Sequence, residues 1–150
     1  MICQTHQPVN LRNKERTKDR ITMALKLTLK PNEKMIIGGA VIANGNSKST
    51  LIIENKVPIL REKDILAEKD ANTPGRRVYF AVQLMYIDEE NLVMHHNSYW
   101  KLVKDFLTAA PSRLGVIDRM SEHILHRRYY QALKLCRELI SYEEEIKQNV

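Results

Sequence analysis

Leu25-Lys26-Leu27-Thr28-Leu29-Lys30-Pro31-Asn32 decides how the first half of the chain folds. Leucines alternate with Lys26, Thr28 and Lys30, the period of a half-buried strand with a polar, basic outer face. Pro31-Asn32 then turns the chain. Met35-Ile36-Ile37 opens a second apolar run, which Gly38-Gly39 interrupts as a bulge or bend before it resumes through Val41-Ile42. Asn44-Gly45-Asn46-Ser47 reads as a hairpin-type loop, followed by Leu51-Ile52-Ile53 as a third strand. Val57-Pro58-Ile59-Leu60-Arg61 is a short fourth strand, with Pro58 favouring an edge. Residues 24–66 are therefore expected to form a small antiparallel sheet or half-barrel that needs another layer packed on it.

After Asp64 the period changes. Residues 61–68 hold one or two helical turns, and Asn72-Thr73-Pro74 is a helix entry with proline near the first position. Val78, Ala81, Val82 and Met85 follow helical spacing, as do Tyr99, Leu102, Val103, Phe106, Leu107 and Ala110 in a helix expected to start near Asp88. Pro111-Ser112 breaks that helix. Leu114, Ile117, Ser121, Ile124 and Leu125 form the next face, and Tyr129, Leu133, Cys136 and Ile140 the last. Strands followed by helices without βαβ alternation predict an α+β fold, with an antiparallel bundle of three to four helices over residues 72–148. Sheet and bundle are expected to pack as one compact unit.

Upstream of the first strand, residues 1–22 have a different character. They carry Arg12, Lys14, Arg16, Lys18 and Arg20 against Glu15 and Asp19, half of the chain's net charge of +6. With few large apolar residues and no sustained period, this stretch is expected to be a disordered basic extension, with the native start at Met23. The alternative is a basic arm adding nonspecific affinity for nucleic acid. The 150 residues suit one domain, and 43% hydrophobic content is too high for a disordered chain. Val78 to Ile87, the longest nearly apolar stretch, is about half of a bilayer span, so no membrane partner is expected. Cys3 and Cys136 are too few for a disulfide scaffold or a zinc cluster, and a reducing cytoplasm is the expected compartment.

Catalytic chemistry is hard to assemble from these residues. Gly38-Gly39 lacks the lysine and following helix of a phosphate loop. Glu122, His123 and His126 lie within about one helical turn, a partial metal set for which a solvated helix face is the plainer reading. Cys136 falls at an apolar helical position, and Asp88-Glu89-Glu90 read as first-turn carboxylates. Glu143 to Glu145 read as a solvated helix end. No nucleophile–base pair emerges, so neither enzymatic activity nor a cofactor is expected.

Cationic clusters point elsewhere. Lys26, Thr28 and Lys30 share a strand face, and Arg61 with Lys63 lies at the end of the fourth strand; neighbouring strands would unite them into a surface suited to a phosphate backbone. Secondary clusters are Arg76-Arg77 and Arg127-Arg128-Tyr129-Tyr130, the latter joining cations to aromatic rings suited to stacking bases or, more simply, to anchoring the last helix. Tyr86, Tyr99 and Trp100 read as exposed aromatics that a protein partner would cover.

Four separated stretches carry a resemblance: Leu25-Lys-Leu-Thr-Leu-Lys-Pro-Asn-Glu-Lys-Met-Ile-Ile-Gly-Gly-Ala-Val-Ile42, Ile59-Leu-Arg-Glu-Lys-Asp-Ile-Leu66, Thr73-Pro-Gly-Arg-Arg-Val-Tyr-Phe-Ala-Val-Gln-Leu-Met-Tyr86 and Arg128-Tyr-Tyr-Gln-Ala-Leu133. In this order they resemble the FlbT family of flagellum-biosynthesis regulators, from about Ala24 to the last helix; the extension over residues 1–22 is the departure. The resemblance implies a cytoplasmic bacterial repressor that associates with the 5′ untranslated region of flagellin mRNA and alters its stability or translation. A runner-up role is an adaptor or chaperone for flagellin or a small flagellar co-regulator, and a homodimer would follow if a sheet edge pairs. Leu27-Thr28-x-Lys30-x-x-Glu33-x-Met35-x-Ile37-Gly38 and Arg61-Glu62-x-Asp64-Ile65 are also similar to the CsrA family of mRNA-leader binders. That similarity implies RNA contact by Thr28, Lys30 and Arg61, while the different glycine loop and the long helices depart from it. A chain starting at Met23 is expected to unfold at the same denaturant midpoint as the full chain; a clear drop would contradict the reading of residues 1–22 as an extension.

Overall fold

Alternation at the N-terminal end builds strand β1 (Leu25–Leu29), which buries Leu27 and Leu29 and exposes the residues between them. The computed structural model describes residues 24–150, so the expected extension over residues 1–22 and the start at Met23 lie outside the described residues. Strands β2 (Lys34–Ile37), β3 (Ala40–Ala43), β4 (Ser49–Ile53) and β5 (Ile59–Arg61) follow. Then come helices α1 (Pro74–Ile87), α2 (Leu92–Ala109), α3 (Leu114–Leu125) and α4 (Tyr129–Gln148). The fold class is α+β, as expected.

The described chain divides into two units. The smaller holds residues 24–34 and 43–57, the larger residues 35–42 and 58–150. In the smaller, β1 pairs antiparallel with β4 over five residue pairs, from Leu25 opposite Ile53 to Leu29 opposite Ser49. In the larger, β2 is the centre of a three-stranded sheet between β3 and β5, with Met35 opposite Arg61 and Ile37 opposite Ile59.

Among the described residues the strands thus number five in two sheets, where the sequence pattern predicts four in one. Two local features account for the difference. Gly38 and Gly39 adopt φ of 56° and 84°, so the pair is a two-residue hairpin turn that splits the apolar run into β2 and β3. A Cβ on Gly39 would sit 3.1 Å from the Ile87 carbonyl oxygen, a second reason for glycine there. Asn44 to Ser47, expected as a hairpin loop, instead carries the chain from one sheet into the other.

In the larger unit, Val78, Val82 and Met85 of α1, Tyr99, Val103 and Phe106 of α2, Ile117, Met120 and Ile124 of α3, and Leu133, Cys136 and Leu139 of α4 form one buried cluster. Helix α1 packs on both α2 and α4, and α4 packs on α3. Burial pushes the Cys136 thiol pKa up, which suits a core residue. Tyr99, expected on the surface, is fully buried, with its hydroxyl 2.9 Å from Ser121 Oγ. Burial pushes its pKa up to about 12. Tyr86 is half-buried, and its hydroxyl accepts the Ile59 N–H at 3.1 Å.

Helix α2 begins at Leu92, later than expected, because Asp88 closes α1 and a short 3₁₀ turn, Glu89–Asn91, intervenes. The Asp88 carboxylate accepts from the Nε2–H of buried His95 at 2.7 Å, and that bond, aided by Asn91, lowers the carboxyl's pKa. Glu143, expected as part of a solvated helix end, caps α1 instead. Its Oε1 accepts the Gly75 N–H at 2.7 Å and its Oε2 accepts the Thr73 hydroxyl at 2.7 Å. Thr73 Oγ1 in turn accepts the Arg76 N–H at 3.2 Å, completing the N-cap. A charge-assisted bond of this kind is worth roughly 1.5–3 kcal/mol. Glu143→Ala should therefore lower stability by about 1–3 kcal/mol in urea titration. Glu144→Ala, which removes only an exposed carboxylate 3.7 Å from Arg76, should cost less than about 0.5 kcal/mol. Equal losses would refute the cap.

Candidate nucleic-acid interface

The β1–β4 register assembles a polar face that neither strand has alone. Lys26 stands opposite Ile52 and Thr28 opposite Thr50. Directly opposed residues project to the same side of an antiparallel pair, and all four are exposed. Lys30 and Lys48, one residue beyond the final pair Leu29–Ser49, continue the same parity and are also exposed. The opposite side carries Leu25, Leu27 and Leu29 with Ser49, Leu51 and Ile53; Leu27 and Leu29 are buried, Ser49, Leu51 and Ile53 are half-buried, and Leu25 at the open end is exposed. Lys26, Thr28 and Lys30 were predicted; Lys48, Thr50 and Ile52 were missed. Their alternation is present in the sequence, but apolar Ile52 on the outer face makes residues 51–53 read as one buried run.

One side chain ties down the end of this ribbon. Asn44 Nδ2 donates to the Lys30 carbonyl at 2.7 Å and the Ser47 carbonyl at 2.9 Å, while its Oδ1 accepts the Ser49 hydroxyl at 2.8 Å. Asn32 N–H donates to the Gly45 carbonyl at 2.8 Å, and Lys30 N–H to Glu33 Oε2 at 2.8 Å. The backbone around Lys30 and Lys48 is thereby held while their ammonium groups stay in solvent.

Charge is distributed unevenly between the units. Residues 24–34 and 43–57 carry five lysines and two glutamates, whereas residues 35–42 and 58–150 carry fourteen basic and fourteen acidic side chains. The positive excess of the described chain therefore lies wholly in the unit that holds the ribbon.

Arg61 and Lys63 belong to the larger unit. The pairing that would make their strand a neighbour of β1 does not form, since β1 pairs with β4 and β5 with β2. Arg61 ends β5, and Lys63 sits exposed in the 3₁₀ turn Glu62–Asp64. Asp64 is buried, and two groups pin this turn to the helices: Arg137 bonds its carboxylate, and the Tyr79 hydroxyl donates to its carbonyl at 2.5 Å. Burial raises the Tyr79 pKa.

Arg76 and Arg77 lie in the first turn of α1, where Arg76 donates to Asn72 Oδ1 at 3.2 Å and Arg77 is exposed. Arg127, at φ 56°, and Arg128 form the exposed turn between α3 and α4. Arg128 N–H reaches the His123 carbonyl and Arg127 N–H the Ile124 carbonyl, a Schellman closure with arginine in the place usually given to glycine. Both neighbouring rings are packed: Tyr129 edge-on to His96 and Tyr130 tilted against Tyr86, with the Lys134 ammonium 4.6 Å from its centroid. Burial and the nearby Arg127 charge lower the His96 pKa. Among the described residues no group of three His, Cys, Asp or Glu side chains gathers to hold a metal, and His126 Nδ1–H donates to the Glu122 carbonyl at 2.8 Å.

Residues 25–147 match the family described as Flagellar protein FlbT. The chain belongs to the FlbT family. Relatives include the probable flagellum biosynthesis repressor protein FlbT 1 of Bradyrhizobium diazoefficiens, 47% identical over 83% of this chain and 86% of the relative. The probable repressor of Caulobacter sp. strain K31 is 41% identical over 82% of this chain and 95% of its own length. The flagellum biosynthesis repressor protein FlbT of Caulobacter vibrioides strain ATCC 19089 is 39% identical over 82% and 89%. No solved structure matches the chain. All four stretches that carried the FlbT resemblance fall inside the matched span, which contains the ribbon and, among the described residues, every helical segment but the final residue of α4. In this FlbT-family chain, Asn44→Ala should raise amide exchange at Asn32, Leu51 and neighbouring ribbon positions while barely changing the larger unit. Unchanged exchange in the ribbon would refute the role given to Asn44.

Proposed function

We propose that this chain represses flagellum biosynthesis after transcription, in the cytoplasm, by binding the 5′ untranslated region of flagellin mRNA through the exposed face of the β1–β4 ribbon. Lys26, Lys30 and Lys48 supply the phosphate contacts, and Thr28 and Thr50 offer hydroxyls to the sugar–phosphate backbone. The observation that carries this reading is the confinement of the charge excess to the ribbon unit. Membership of a family whose relatives are named repressors of flagellum biosynthesis supports the regulatory role. The similarity to CsrA-type leader binders selects the same first strand. Arg61 and Lys63 are further candidate contacts on the larger unit, with Arg76, Arg77, Arg127, Arg128, Tyr129 and Tyr130 as secondary ones. No helix among the described residues is long and apolar enough to cross a membrane. Binding alone occludes the leader, and any destabilisation of the message would require a recruited nuclease.

A second reading makes the larger unit an adaptor for flagellin or a small co-regulator, with its effect on mRNA indirect. Its support is the charge balance of that unit and the exposed ring of Trp100, 42% accessible.

Purified protein titrated with labelled flagellin leader RNA separates the two. Lys30→Glu and Lys48→Glu should each weaken binding by about tenfold or more and reduce the slope of log K against log salt by about 1. Thermal stability should stay unchanged because both residues are exposed. Unaltered affinity and slope would refute the ribbon assignment. No RNA binding until a second protein is added would favour the adaptor.

A further inference from the structure

Asn44 precedes Gly45, and no other asparagine of the chain precedes a glycine. The step lies outside any strand or helix, directly after β3. An asparagine side-chain amide is open to attack by the backbone nitrogen of the next residue. Glycine favours that attack most, because it has no Cβ to obstruct the approach and its backbone turns freely. Gly45 offers such a nitrogen. It is exposed, no backbone carbonyl among the described residues takes its N–H, and a Cβ placed on it would have nothing within 4 Å.

The chemistry needs only water. The Gly45 nitrogen loses its proton to hydroxide and bonds to Asn44 Cγ; the Cγ–Nδ2 bond breaks, the departing nitrogen takes up a proton, and ammonia leaves a cyclic imide. Water then opens either C–N bond of the imide, giving aspartate or isoaspartate at position 44 with no change of oxidation state.

The place of Asn44 in the fold makes this conversion consequential. Its Nδ2 donates to the Lys30 carbonyl at 2.7 Å and to the Ser47 carbonyl at 2.9 Å. A carboxylate only accepts, so either product would set an anionic oxygen against two carbonyl oxygens. Isoaspartate also routes the main chain through the former side chain, lengthening it by a methylene. The clasp therefore cannot re-form, and a negative charge arrives at the end of the ribbon that carries Lys30 and Lys48. While the clasp is closed its hydrogen bonds hold the amide, so the side chain turns onto Gly45 only when the clasp opens, and the reaction rate follows that local opening. We propose that Asn44 is a deamidation site, and that its conversion is a one-way switch that releases the ribbon end and weakens its hold on RNA. The final clause rests on the RNA-binding function proposed above; the modification and the release do not.

The test is to age the full chain at mildly alkaline pH, where the backbone nitrogen ionises more readily, and to follow every asparagine by peptide mass spectrometry. Isoaspartate is read by enzymatic carboxyl methylation. Asn44 should convert before any other asparagine, and amide exchange at the neighbouring positions of β1 and β4 should rise with the converted fraction. Gly45→Ala, whose methyl group would project into open space, should leave Asn44 largely unconverted over the same period. Asn44→Asp, which imitates one product, should bind flagellin leader RNA about tenfold or more weakly than the fresh chain. Conversion of another asparagine ahead of Asn44, or conversion of Asn44 with ribbon exchange unchanged, would overturn the proposal. A converted and loosened ribbon with unaltered RNA affinity would overturn its final clause. A fresh chain that fails to bind leader RNA would refute the proposed function alone, leaving the modification to stand on mass and exchange.

Discussion

The registration of β1 on β4 is the constraint on which the functional reading depends. Side chains of a strand alternate strictly between faces, so a shift of one residue would send Lys26 and Thr28 inward and Leu27 outward. Burying Leu27 and Leu29 prevents that slip, because exposing both would forfeit about 1.5–3 kcal/mol for each. The same burial that stabilises the ribbon thus aims its cations. Along β1, Lys26 and Lys30 lie about 13 Å apart, and Lys48 joins them from across the pair at the same end as Lys30. Asn44 secures that end by replacing missing backbone partners with its own amide.

The larger unit follows a different logic. Its charge is balanced, and its polar side chains act mainly as fasteners for helix ends and turns. Glu143 closes the start of α1, Asp88 and His95 close the corner between α1 and α2, and Arg137 with Tyr79 holds the turn after β5. Each joins residues distant in sequence or at the edge of an element, where the backbone leaves donors or acceptors unmatched. Trp100 of α2 and Leu114 and Leu125 of α3 are apolar side chains that the packing leaves exposed.

Much of this architecture was legible in the sequence, and the failures have physical causes. The alternation at residues 25–30 and the helical spacings after Pro74 revealed strand and helix because one face of each is buried. The FlbT-like stretches identified the family. Gly38-Gly39 reads in the sequence as a bulge or bend, since a glycine pair is compatible with either that or a two-residue turn, and only φ distinguishes them. Lys48 and Thr50 are not legible because the face they share with β1 is created by pairing across 18 to 22 residues of chain. Tyr99 sits next to exposed Trp100, yet one side of a helix separates them and only one is buried. Glu143 was hidden by its neighbours Glu144 and Glu145, since which of three carboxylates meets α1 is decided by packing alone.

Crosslinking the protein to flagellin leader RNA, followed by mass spectrometry of the linked peptides, tests the central claim most directly. The account predicts crosslinks concentrated in residues 24–34 and 43–57, on Lys26, Lys30 and Lys48, and diminished by high salt. Crosslinks confined to the helices, or none in the absence of a second protein, would contradict it.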